Sequence, residues 1–185
     1  MNFNTHSDLA GLHAYLSPSK YHWIGYDEEH LENSYSKFLA VQKGTEYHEL
    51  ACQLIRLNIK LPKSKKSLNQ FVNDAIGYRM QPEQPLFYSE NFFGTTDAIS
   101  FREGVLRIHD LKTGVTPTSM KQLEIYAALF CLEYKYRPAD IDMELRIYQL
   151  DDVVVHVPQP EEIGRIMNKA VAFDKMITKL KQEEG

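Results

Sequence analysis

The strongest chemical signal in this 185-residue sequence is a pair of aspartates on two adjoining extended segments. Glu103-Gly104 predicts a two-residue turn between the segments, so Arg102 pairs with Val105 and later antiparallel partners have residue numbers that sum to 207. Asp97 then lies opposite Asp110, with the Cβ atoms roughly 4.5–5.5 Å apart. Two carboxylates at that distance can share a divalent cation, and they repel each other without one.

Strand alternation assigns the other side chains of this hairpin to two faces. One face carries Thr95, Asp97, Ile99, Phe101, Leu106, Ile108, Asp110 and Lys112; the other carries Ser100, Arg102, Arg107 and His109. The first face is apolar but ends in two acids and a lysine, which burial alone does not explain because unpaired buried carboxylates are costly. The alternative is a surface ion pair between Asp110 and Lys112 on an exposed strand.

The elements that must position these residues follow from periodicity and from turn residues. Helices are predicted from Ser17-Pro18, over about 45–59, around 69–77, over about 119–134, and from about 159 to 181. Strands are predicted over 86–93, 94–101, 105–112, 143–150 and 153–157. This order predicts an α/β fold in which a mixed central sheet, made of a three-stranded meander and two further strands, is flanked by helices.

Composition narrows the class of protein. A length of 185 residues with 43% hydrophobic and 25% charged residues predicts one globular domain over residues 1–185. The sequence shows neither a membrane-spanning segment nor a signal segment, so we expect a cytoplasmic protein. Its two cysteines, Cys52 and Cys131, predict reduced core thiols and are too few for an iron–sulfur cluster. A net charge of −4 supplies no overall attraction to nucleic acid.

Several short motifs together resemble the RecB-type branch of the PD-(D/E)xK nucleases. They are Leu16–Trp23, Gly44–Glu49, Gly94-Thr95-Thr96-Asp97, Asp110-Leu111-Lys112-Thr113-Gly114 and Gln122-x-x-x-Tyr126. Their order and spacing match those of the family, and they span about residues 15–126. The resemblance implies a restriction-endonuclease-like core, metal-dependent cleavage of DNA phosphodiester bonds, and a phage-type stand-alone exonuclease without an iron–sulfur cluster.

The same resemblance implies roles for individual residues. Asp97, Asp110 and Lys112 would be catalytic, and Mg²⁺ or Mn²⁺ would be held by Asp97, Asp110, His48 and the backbone carbonyl of Leu111. Without the motif, His48 would be read as a hydrogen-bonded core or boundary histidine. Glu90 is either an acid that reaches the metal through water or a surface residue.

Three groups are candidates for contact with DNA. The resemblance places Gln122 and Tyr126 at the DNA backbone, although Gln122 could instead close a capping box with Ser119 and Tyr126 could be a core aromatic. A predicted helix N-terminus with Ser17, Ser19 and Lys20 suits a phosphate, or is an ordinary cap. The third group is the lysine cluster Lys63, Lys65 and Lys66, which could hold the phosphate backbone or form a solvated loop.

These observations predict a Mg²⁺- or Mn²⁺-dependent deoxyribonuclease. The expected reaction is exonuclease action on linear DNA, double- or single-stranded, in phage or bacterial recombination, replication or repair. An endonuclease could use the same residues, and a non-catalytic DNA-binding or interaction module could retain the fold. The expected partners are DNA, a recombination protein or further copies of this chain, and not a membrane.

Overall fold

The computed structural model describes residues 14–184. Its elements in chain order are a 3₁₀ helix at Pro18–Gly25, α1 at Glu28–Arg56, α2 at Ser67–Gly77, β1 at Gln81–Ser89, β2 at Phe92–Arg102, β3 at Val105–Leu111, α3 at Lys121–Tyr134, a 3₁₀ turn at Pro138–Asp140, β4 at Asp142–Gln149, β5 at Asp152–His156 and α4 at Pro160–Glu184. Within residues 14–184, no helix combines the length and the apolar character needed to cross a membrane.

Internal contacts divide the chain into two compact units, one ending at Lys43 and the other beginning at Gly44. In the first unit the ring of Tyr15 packs against those of Tyr35 and Phe38, at centroid distances of 5.0 and 5.3 Å. The second unit contains the whole sheet and the acidic residues of interest. That the chain forms one domain stays a prediction.

The second unit is built on one five-stranded sheet in the order β1-β2-β3-β4-β5. β3 and β4 are parallel and the other neighbours are antiparallel, so the predicted mixed sheet flanked by helices is confirmed. The predicted β2–β3 register is also confirmed from Arg102–Val105 to Ala98–His109. Glu103 and Gly104 have φ values of 52° and 79°, as a tight hairpin turn with two left-handed residues requires.

Helices cover both faces of the sheet and make two hydrophobic cores. One core lies between the sheet and the pair α3 and α4, and it includes Ile99, Ile108 and Ile163. The other lies between the sheet and the pair α1 and α2, and it includes Leu111 and Phe71. Because β3 is covered on both faces, the interpretation of its acid and lysine as a surface pair on an exposed strand is wrong.

Two predicted boundaries differ from the structure in ways that matter for the site. α1 begins at Glu28 rather than near residue 45. Tyr47, which helical spacing predicts on the apolar face of this helix, is 45% exposed. β1 begins at Gln81 rather than at residue 86. Its first half contains Pro82 and Pro85, which read as a loop in sequence but are tolerated in an edge strand because one side of its backbone needs no partner.

Candidate active site

His48 and Asp97 are brought together where the pairing of β2 with β3 ends. Nδ1 of His48, on α1, lies 3.3 Å from Oδ2 of Asp97. The backbone N–H of Leu111 donates a hydrogen bond of 2.8 Å to the same oxygen, which ties the carboxylate to the end of β3. The hydrogen bond to Asp97 raises the pKa of His48, while burial acts in the opposite direction.

Glu83 is the residue of this cluster that sequence reasoning missed. The β1–β2 ladder pairs Pro82 with Ala98 and Gln84 with Thr96, so Glu83 is in register with Asp97. Its φ is 49°, a left-handed kink in the strand. The ligand atoms of Glu83, His48 and Asp97 all lie within 4.8 Å of one another.

Sequence analysis missed Glu83 because the two prolines beside it hid the start of β1. The turn at residues 90–91 alone would not have found it, because extending the Ser89–Phe92 pairing backwards places Gln84 opposite Asp97. A register shift between Phe87 and Ser89 brings Glu83 there instead. Glu90, predicted on the strand itself, lies instead in the exposed turn between β1 and β2. At about 3.3 Å per residue, the turn is far from Asp97 along β2, so its proposed role near the metal is wrong.

Asp110 and Lys112 form a buried ion pair beside the cluster. Asp110 is 3% exposed, and Nζ of Lys112 donates a hydrogen bond of 3.0 Å to its Oδ1 and lies 2.9 Å from its Oδ2. Burial and then the charge of Asp97 raise the pKa of Asp110 to about 6, although Lys112 acts to lower it. The β2–β3 ladder ends one position before Asp97 and Asp110, so these two residues are near each other without being a ladder pair.

Gln122 and Tyr126, one turn apart on α3, contact the segment that follows β3 and a residue within β2, respectively. Oε1 of Gln122 accepts a hydrogen bond of 2.9 Å from Nζ of Lys112, and the Tyr126 hydroxyl donates one of 2.6 Å to the carbonyl of Thr95. The capping-box interpretation is wrong, because α3 begins only at Lys121 and has no side-chain cap. Tyr126 also packs against the α3 core, so its two interpretations are compatible.

The motif glycines lie where a side chain would crowd these residues. A Cβ at Gly94 would be 3.0 Å from Cε1 of Tyr126, and a Cβ at Gly44 would be 3.0 Å from Oγ1 of Thr113. Gly94 therefore lets α3 approach β2 closely enough for the Tyr126 hydrogen bond. Gly44 lets α1 approach the segment that follows Lys112.

The donor set suits a hard divalent cation. Glu83, Asp97 and Asp110 offer carboxylate oxygens and His48 offers one imidazole nitrogen, a combination that fits Mn²⁺ well and Mg²⁺ through the oxygens. Burial and the charge of Asp97 raise the pKa of Glu83 as well as that of Asp110. Carboxylates that repel one another in this way are stabilised in their charged form by a bound cation. The residues present therefore fit a metal.

The predicted phosphate contacts near the N-terminus belong to the first unit. Ser17 precedes the 3₁₀ helix but makes no side-chain cap; it is 5% exposed, and its Oγ pairs with Oγ of Ser19 at 2.8 Å. Lys20 is exposed and has non-helical dihedral angles. The Ser17 carbonyl accepts a hydrogen bond of 3.0 Å from Trp23. The predicted helix is present as a 3₁₀ helix that is kinked at Lys20, and contact with phosphate stays a prediction.

The lysine cluster is an exposed loop between α1 and α2. Lys63, Lys65 and Lys66 are all exposed, and Lys66 immediately precedes α2. Lys66 and Lys112 line the same groove, so the structure places this one lysine of the cluster on a surface that the lysine of the candidate site shares.

No protein-family model matches this chain, and no curated protein is detectably similar to it.

Proposed function

We propose that this chain is a divalent-metal-dependent nuclease that hydrolyses DNA phosphodiester bonds, built on a restriction-endonuclease-like core of the RecB type. One observation carries the proposal: the ligand atoms of His48, Glu83 and Asp97 meet within 4.8 Å, beside the buried pair of Asp110 and Lys112. Acids from β1, β2 and β3 thus lie close together near the end of β3, beside a lysine. Metal-assisted hydrolysis of a phosphodiester can use such groups to hold a cation beside the phosphate.

Each residue of the site would have its own role in such a reaction. A cation bound by the acids supplies a water of lowered pKa and a positive charge beside the phosphate. The Leu111 N–H and His48 hold Asp97 in place. Nζ of Lys112 is held between Asp110 and Gln122, where its hydrogen-bond donors would favour the extra negative charge of the phosphate in the transition state.

The most direct form of the proposal is an exonuclease that acts on linear DNA ends in the cytoplasm of a bacterium or a phage-infected cell, in recombination, replication or repair. The motif resemblance supports this form. The chain carries a net charge of −4, so binding to the DNA backbone would rely on the bound cation and on the exposed loop with Lys63, Lys65 and Lys66.

The first test uses end-labelled linear duplex, single-stranded and closed-circular DNA with Mg²⁺, Mn²⁺ or EDTA. We expect degradation of linear DNA with either metal, none in EDTA, and a loss of roughly 100-fold or more in Lys112→Met. Lys179→Met is the control, because Lys179 is 76% exposed and pairs with Glu183 on its own helix. Cleavage of the circle would make the protein an endonuclease. DNA binding without any cleavage would favour the alternative, a non-catalytic DNA-binding module that retains the fold.

Two glutamates of the β1–β2 hairpin provide a matched comparison. We expect Glu83→Gln to weaken Mn²⁺ binding in calorimetry and to shift the activity to higher metal concentration, because it removes one ligand charge. Glu90→Gln makes the same chemical change in the exposed turn and should leave both measurements unchanged. Equal effects of the two substitutions would contradict the assignment of Glu83.

Gln122 is a positioning residue in this proposal, because it acts through Lys112. Gln122→Ala should lower kcat more than it raises KM, whereas loss of a contact to DNA alone would mainly raise KM. Gln122→Glu keeps an acceptor for Lys112 and should retain more activity than Gln122→Ala. An unchanged kcat with a raised KM in Gln122→Ala would favour the direct contact with the DNA backbone that the motif predicts.

A further inference from the structure

A groove of about 570 Å³ adjoins the lysine of the candidate active site. Its walls come from α1, from the first turn of α2 and from the turn between β4 and β5, and its floor is the segment Leu111–Thr113 at the end of β3. Tyr47 on the α1 wall is the immediate neighbour of His48 in the chain. The groove and the candidate active site therefore share Lys112, and both include residues of α1.

The lining combines apolar surface with positive charge. Tyr47 and Leu150 are 45% and 62% exposed, and Leu68 lies on the wall with them. Lys66 and Lys112 supply two cations to the same groove. An aromatic ring beside basic side chains is the arrangement that binds single-stranded nucleic acid, because the ring stacks on a base while the cations attract the phosphates.

A reciprocal pair of hydrogen bonds holds one wall of the groove in shape. The backbone N–H of Ser67 donates a hydrogen bond of 3.0 Å to Oδ1 of Asp151, and the N–H of Asp151 donates one of 2.9 Å to Oγ of Ser67. This reciprocal pair fastens the β4–β5 turn to the start of α2. It also engages the one carboxylate of the lining. Leu150 and Asp151 have φ values of 52° and 59°, so the turn is a tight one that projects Leu150.

We propose that this groove is the subsite for the nucleotide next to the scissile phosphate, with its base against Tyr47 and Leu150 and its outer phosphate near Lys66. The inference rests on the proposed nuclease function and adds a substrate class to it. A base inserted into the groove between Tyr47 and Leu150 leaves the duplex stack and its pairing partner. The nucleotide beside the cleaved bond is therefore unpaired, and the preferred substrate is a single strand or a frayed end.

The test uses single-stranded oligonucleotides in which one abasic residue occupies each position around a mapped cleavage site in turn. With wild-type protein and Mn²⁺, an abasic residue at one position next to the cleaved bond should slow cleavage roughly tenfold, since base stacking on an aromatic side chain is worth about 1–3 kcal/mol. Tyr47→Ala should cleave the intact and that abasic substrate at the same reduced rate. Tyr47→Phe should restore the difference between them.

Tyr134→Ala is the control, because Tyr134 is also an exposed helical tyrosine, at 49%, but lies outside the groove. It should discriminate as the wild type does. Leu150→Ala provides a second variant on the opposite wall and should reduce the discrimination as well. Undiminished discrimination in both Tyr47→Ala and Leu150→Ala would overturn the subsite.

If the nuclease proposal is wrong, the cleavage assay gives a different result from the one that overturns the subsite. In that case no substrate is cleaved with Mg²⁺ or Mn²⁺, and the same oligonucleotides are compared by fluorescence anisotropy in EDTA. A weaker affinity of wild-type protein for one abasic oligonucleotide, abolished in Tyr47→Ala, would support the subsite without the nuclease. Equal affinities of wild type and Tyr47→Ala for every oligonucleotide would overturn the subsite there too.

Discussion

Acidification should destabilise this protein through His109, which is fully buried on the α2 side of β3. The Tyr148 hydroxyl donates its proton to Oδ2 of Asp74 at 2.7 Å and lies 3.1 Å from Nδ1 of His109. Its oxygen is therefore the acceptor for an N–H at Nδ1, which assigns the proton of the neutral ring to that nitrogen. Nε2 is buried without a hydrogen-bond partner among the described residues. Protonation would add an N–H there with no acceptor.

The size of the effect follows from two pKa values. Burial, and then the charges of Arg146 and Arg107, lower the pKa of His109 to about 3 in the folded protein, against about 6.5 in the unfolded chain. The unfolded chain therefore takes up a proton that the folded protein does not, so this contribution to stability is complete above pH 6.5 and is lost as the pH falls towards 3. At pH 5 the loss is about 2 kcal/mol, and any folded pKa below about 4 gives nearly the same figure.

The assay is urea denaturation at pH 8 and pH 5 in EDTA, for wild type and for His109→Phe. The other titrating groups, including His48 whose raised pKa acts in the opposite direction, are common to both proteins and cancel in the comparison. We expect the free energy of unfolding of the variant to fall by about 2 kcal/mol less than that of the wild type. His109→Gln, which keeps a donor for Tyr148, should give the same difference. An equal fall in wild type and both variants would refute the reasoning.

The remaining predictions concern packing and thiol accessibility. Gly94→Ala should lower the free energy of unfolding by about 1–3 kcal/mol, because its Cβ meets Tyr126. Gly164→Ala, within α4, meets nothing within 4 Å and should raise the free energy of unfolding by about 1 kcal/mol. Thermal denaturation measures both effects, and a stabilised Gly94→Ala would contradict the close approach of α3 to β2. Burial raises the pKa of Cys131 to about 11, and Cys131 is 1% exposed, so iodoacetamide at pH 8 should alkylate it only after unfolding. Alkylation of Cys131 in the native protein, detected by mass spectrometry, would contradict this prediction.

Much of the β2–β3 hairpin could be predicted from the sequence because its information is local. Glu103-Gly104 selects the turn, the turn sets the register, and strand alternation then sends Ile108 and His109 to opposite faces. All three predictions are confirmed. Asp110 and Lys112 were identified as candidates for the same reason, since their shared face follows from their spacing of two. The nuclease activity inferred from these residues remains a proposal.

The elements around the hairpin were predicted less well, because burial and pairing decide them. The start of β1 was misplaced because Pro82 and Pro85 are acceptable only on an edge strand, and strand order is not visible in a local window. The exposure of Tyr47 was missed because an apolar residue at helical spacing usually faces the core. Here α1 packs through Ala51 and Ile55 and leaves Tyr47 on the groove.

By itself the sequence determined the hairpin, the two faces of its strands and the acids and lysine at its end, since neighbouring residues encode turn geometry and period. Only the tertiary structure decided which distant groups join them. Glu83 reaches Asp97 through pairing of β1 with β2, and Gln122 reaches Lys112 through packing of α3 on the sheet. Such contacts depend on how separate elements bury their apolar faces together, and no spacing along the chain specifies that arrangement.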